Sequence, residues 1–122
     1  MEIRKLFRRK SEVSLNRIHH TVYINENGER LKMVINADPM RLIAGLNKAQ
    51  AKMKKTISKP DVTDDEIKEA AEFFSGVLFG KEQTEKLFDF YAGDSACVIN
   101  VCGKVFKDQL TDKITQAQKK MG

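Results

Sequence analysis

The chain has 122 residues, 41% of them apolar and 32% charged, enough for one domain with a modest core and too apolar for a disordered polyelectrolyte. No apolar run approaches the roughly 18 residues of a membrane span. No apolar segment follows the basic start, so a secretory signal is not expected and a cytosolic protein is. The formal charge of +5 is uneven: Arg4, Lys5, Arg8, Arg9 and Lys10 oppose Glu2 within the first ten residues, and the rest is close to neutral. The pI of 9.2 therefore describes the N-terminus rather than a basic domain.

Residues 1–18 have a weak pattern. Ile3, Leu6 and Phe7 share a helical face. A short amphipathic helix and a basic arm both fit. Thr21 to Ile35 then form a β-hairpin, because Asn27-Gly28 is the dipeptide that best tolerates φ > 0 at both turn positions. With those two residues as the loop, Glu26 faces Glu29, Ile24 faces Leu31 and Val22 faces Met33. Val22, Ile24, Leu31, Met33 and Ile35 then share an apolar face that helices must cover.

Asp38-Pro39 starts the first helix, since Asp caps and Pro fits the first turn. Met40, Leu42, Ile43, Leu46, Ala49, Ala51 and Met53 are its expected apolar stripe. Lys59-Pro60 ends it. Thr63-Asp64-Asp65-Glu66 is a capping box for the second helix. Its core face is Ile67, Ala70, Ala71, Phe74, Val77 and Leu78, and Gly80 stops it. A short helix over about 82–91 follows, with Leu87, Phe88 and Tyr91 inward. The last helix spans about 95–119, carrying Val98, Val101, Cys102, Val105, Phe106, Leu110 and Ile114. Gly103 costs it about 1 kcal/mol relative to Ala unless a neighbour packs close.

The expected fold is α+β and mainly α: a hairpin over about 20–36 packed on some four helices at about 39–57, 64–79, 82–91 and 95–119. Residues 19–122 form one domain, with 1–18 as the arm.

Side chains that could do chemistry are sparse. Cys97 and Cys102 point about 140° apart on a helix, match no zinc or redox spacing, and read as small core residues in a reducing compartment. His19 and His20 alternate across a strand and lack further ligands. The acids from Asp61 to Glu69 lack the glycine and alternating ligands of a calcium loop, and helix capping explains them. Gly76 to Lys81 is too short for a phosphate loop and ends in Glu82. No nucleophile–base motif is present, so no catalytic, cofactor-binding or metal-binding residues are expected and no enzyme is. The basic arm Arg4, Lys5, Arg8, Arg9 and Lys10 reads first as a solvated terminus. Its alternative reading is a nucleic-acid-binding segment.

The order of parts carries more. An "NGE" hairpin leads into Ile35-Asn36-Ala37-Asp38-Pro39 and a long helix. Phe73-Phe74-Ser75-Gly76-Val77-Leu78-Phe79-Gly80 and Thr84-Glu85-Lys86-Leu87-Phe88 then precede the last helix. From about Val22 to Lys120 the chain resembles the tail assembly chaperones of siphophages and prophages of Gram-positive bacteria; the basic arm falls outside that likeness. The resemblance implies a non-enzymatic oligomer in the bacterial host cytoplasm that binds tape-measure and tail-tube proteins during tail assembly. Phe73, Phe74, Phe79, Leu87, Phe88 and Phe90 are its candidate partner-binding residues, weighed against the simpler assignment of each to the core.

Overall fold

A computed structural model describes the backbone of residues 17–121 and the side chains of residues 17–116. The hairpin forms as its turn requires. Asn27 and Gly28 take φ of 51° and 81°, which twists the two-residue loop to match the strands. Strand β1 (Ile18–Glu26) pairs antiparallel with β2 (Glu29–Ala37), with Glu26 opposite Glu29, Ile24 opposite Leu31 and Val22 opposite Met33. Val22, Ile24, Met33 and Ile35 are buried and Leu31 is half-buried, so one sheet face is core and the other is wet.

The ladder reaches further back than turn chemistry alone indicates, with Ile18 buried opposite Ala37. Arg17 ties down that end, donating from Nε to the Asn36 side-chain oxygen at 2.8 Å and from Nη2 to the Asn36 carbonyl at 3.0 Å. Of residues 1–18, read as an arm or a short amphipathic helix, residues 1–16 lie outside the described residues.

Five helices follow, the last two continuous through a π-turn. Helix α1 (Pro39–Ile57) starts at Asp38, whose Oδ1 accepts from the Met40 amide at 2.9 Å. Leu42, Leu46 and Ala49 are its buried line. Met40 and Ala51, expected on the stripe, face outward. Met40 lies about 200° around the helix from Leu42, so both cannot point inward. Helix α2 (Asp64–Phe79) begins with the complete Thr63–Glu66 capping box and ends at Gly80, at a φ of 84°. Helix α2 is central, packing on α1 and on α4 (Ser95–Val105), with the short α3 (Lys81–Phe90) between them in sequence. A Cβ on Gly45 of α1 would stand 2.8 Å from Val77 Cγ1 of α2, so the first pair crosses at a point only glycine fits.

The last helix departs from a regular 95–119 reading. Residues Phe106–Leu110 form a π-turn between α4 and α5 (Thr111–Met121). An unbroken α-helix would bring Gln109 within about 20° of the buried Val98 direction. The π-turn delays the helix by one residue, so Leu110 enters the core at 0% exposure while Gln109 stays outside. Thr111 Oγ1 donates to the carbonyls of Phe106 at 3.0 Å and Lys107 at 3.1 Å, satisfying acceptors that the wider turn disturbs.

Candidate protein-interaction surfaces

Apolar side chains of three helical segments meet at the end of the molecule where α1 turns into α2. The polar framework there is local and strong. Lys59 Nζ meets Glu66 Oε2 at 2.6 Å, and the Glu66 carboxylate also accepts from Thr63. The Lys59 bond first, then those from Thr63, hold the Glu66 carboxyl below its ordinary value. Lys52 pairs with Glu69 at 3.1 Å and lies 5.5 Å over the Phe73 ring. Between these contacts lies an open groove of about 400 Å³ lined by Met53, Ile57, Val62, Ile67, Ala70 and Ile99. Ile57 is 74% exposed and Val62 37%. Exposed apolar surface around a concavity is the usual mark of a binding site.

The sequence stripe on α1 points to this groove in retrospect. Met53 and Ile57 extend the Leu46–Ala49 line by about two turns, and the line passes from half-buried Met53 to exposed Ile57. An apolar stripe that continues into an exposed position is a readable signal. Val62, an isolated apolar residue between Asp61 and Thr63, carries none.

The six candidate partner-binding residues divide. Phe74, Phe79 and Leu87 are closed into the core of this chain, while Phe88 and Phe90 are half-buried and Phe73 is exposed beneath Lys52. Phe90 packs edge-on against Tyr91 at 5.2 Å. None of the six lines the groove. Arg4, Lys5, Arg8, Arg9 and Lys10 lie outside the described residues.

A second surface is the hairpin edge. The two-residue loop makes Glu26–Glu29 a hydrogen-bonded pair, and alternation then turns the backbone groups of Thr21, Tyr23 and Asn25 outward on β1 and of Arg30, Lys32 and Val34 outward on β2. The β2 edge is occupied at Val34 alone; among the described residues no hydrogen bond reaches the outward groups of Arg30 or Lys32. Gln83 of α3 accepts from the Val34 amide at 2.7 Å and donates to the Val34 carbonyl at 2.7 Å, as a paired strand would. Its Nε2 also donates to the Phe79 carbonyl at 2.7 Å, which fixes the side chain. Among the described residues, no hydrogen bond reaches the outward groups of Thr21, Tyr23 or Asn25. Periodicity held no hint of this asymmetry, because a side-chain amide replacing a strand leaves no repeating pattern.

The remaining polar side chains are structural in geometry. His20 lies on the core face of β1 and donates from Nε2 to the side-chain carbonyl of Gln109 at 2.7 Å, joining the strand to the π-turn, while His19 is exposed. Ser75 and Thr84 are buried 2.8 Å apart, and Thr84 donates to the Gly80 carbonyl at 2.7 Å, so the Ser75 hydroxyl donates to Thr84. Burial pushes the Cys102 thiol up to about 12. The hydrogen bond with Asp94 pushes the half-buried Cys97 thiol up as well. Both are therefore thiols, not thiolates, at neutral pH. Among the described residues, no three His, Cys, Asp or Glu converge as metal ligands, and no helix is long and apolar enough to cross a membrane.

Comparison with family models, with curated proteins and with solved structures finds no match for this chain.

Proposed function

We propose that this protein is a non-enzymatic binding protein of the phage tail assembly chaperone type, acting in the bacterial host cytoplasm. Its client is an apolar segment of a tape-measure or tail-tube protein, held in the groove at the α1–α2 end. The observation that carries this reading is the groove itself: about 400 Å³, lined chiefly by aliphatic side chains, with Ile57 74% exposed on it. A long apolar client aggregates when its helices are unpaired, and an aliphatic groove lowers that exposed area. The sequence resemblance supports the client class.

The test is co-expression with a siphophage-type tape-measure protein, scoring how much of that protein stays soluble and co-purifies. The intact chain keeps it soluble. The double substitution Ile57→Glu and Val62→Glu leaves the chaperone folded, because neither residue is buried, and releases the client to the pellet. An insoluble client with the intact chain, or full retention by the double variant, overturns the reading.

A further inference from the structure

We propose that the open edge of β1 pairs with the same edge of a second copy of this chain, antiparallel about a two-fold axis at Tyr23. The two hairpins then form one continuous four-stranded sheet. This inference uses residues separate from the groove and does not depend on the client reading.

Three observations select a second copy as the occupant. The first is the asymmetry of the hairpin: Gln83 closes β2 at Val34, and among the described residues nothing closes β1 at Thr21, Tyr23 and Asn25. The second is what β1 lacks. Edge strands ordinarily deter pairing with lysine, other charges or proline. Ile18 to Asn25 contains no Lys, Arg, Asp, Glu or Pro, whereas β2 carries Arg30 and Lys32. Two copies of β1, whose one acid is the terminal Glu26, approach with little repulsion.

The third is self-complementarity. With the axis at Tyr23, Thr21 of one copy stands opposite Asn25 of the other, and the two Tyr23 residues face each other. All of these are outward-pointing positions, so each pair exchanges two backbone hydrogen bonds. The same register sets Val22 opposite Ile24, which continues the apolar face, and Glu26 opposite His20, which brings an acid to an imidazole. Moving the axis to Thr21, Val22, Ile24 or Asn25 loses that last pair. A register whose partner numbers sum to an odd value sets outward groups against inward ones and is excluded by the ladder.

The experiment uses the full chain. Sedimentation across micromolar to sub-millimolar concentrations is expected to show a reversible dimer. Tyr23→Lys places two like charges opposite each other and weakens dimerisation by about tenfold or more. The variant also melts lower, because Tyr23 loses the Arg30 guanidinium 4.0 Å over its ring and the new lysine faces Lys32 in its own hairpin, so sedimentation is read well below the transition. In a Cys97→Ser background, Tyr23→Cys brings the two new thiols together with Cα atoms about 5.5 Å apart, within disulfide reach. Oxidation then gives a covalent dimer, and Lys32→Cys on the neighbouring strand gives none. A chain that is monomeric throughout overturns the proposal. So does a dimer whose Tyr23→Cys form cross-links no faster than its Lys32→Cys form. A monomer that dimerises only after deletion of residues 1–16 also overturns it, because the edge is then covered from within the chain.

Discussion

Ile35 and Ile57 are chemically identical and end in opposite environments: Ile35 is 0% exposed beneath the helices, and Ile57 is 74% exposed on the groove. At the hairpin end the core-face side chains Met33 and Ile35 of β2 are fully buried, and Gln83 closes the strand edge at Val34. At the α1–α2 end the apolar line of α1 ends on Ile57, which its neighbours flank but do not cover. Burial is decided by the reach of the neighbouring element, not by the residue. The hairpin end is built for stability, whereas the groove end keeps apolar area unspent.

That contrast can be broken by measurement. The largest effect is expected at the closed end: Leu87→Ala lowers unfolding free energy by about 2–5 kcal/mol in chemical denaturation, as a cavity in a tight core does. Ile57→Ala stays within about 0.5 kcal/mol. Equal losses at both sites would erase the distinction between the ends. Next comes the helix crossing that links them. Gly45→Ala forces a Cβ against stiff Val77 and costs about 1–3 kcal/mol.

A smaller change of opposite sign is expected at Gly103. A Cβ there meets nothing within 4 Å, so Gly103→Ala stabilises by about 0.5–1 kcal/mol. Thermal melts of the two glycine variants should move in opposite directions.

The smallest effect is one of pH. Both Glu66 and Asp94 cap helices, and both have carboxyl values lowered in the folded chain, by Lys59 and Thr63 for the first and by the Cys97 amide for the second. A lowered value means the contribution is fully present above the ordinary values of 4.5 and 3.8 and is lost as pH falls below them. Melts at pH 6 and pH 3 should show the loss, and Glu66→Gln should reduce the difference between them.

Much of the fold was legible because it rests on local chemistry. Asn27-Gly28 specifies a turn, the turn specifies the register, and the register assigns Val22 and Met33 to the core. Asp38-Pro39, the Thr63–Glu66 box and Gly80 mark helix ends with the same directness. What periodicity missed is non-local. A strict 3.6-residue count runs straight through Phe106–Leu110, because only the need to bury Leu110 in place of Gln109 inserts the wider turn. The groove has three contributors, and only the overlong α1 stripe announces it. Of the six apolar residues that the resemblance offers for partner binding, Phe74, Phe79 and Leu87 lie in the core, since large apolar side chains in a small domain serve burial first.

Gln83 has a further consequence for assembly. A two-stranded sheet offers two sites for growth, and a molecule with two such sites can polymerise without limit. The Gln83 amide obstructs the second site at Val34, and Arg30 and Lys32 add there the charges that deter pairing. If β1 finds a partner, the sheet stops at four strands, and the outcome is a closed pair rather than a fibre. Gln83→Ala removes that stop, and the assembly state of the variant reports whether the valence of the sheet rises from one to two.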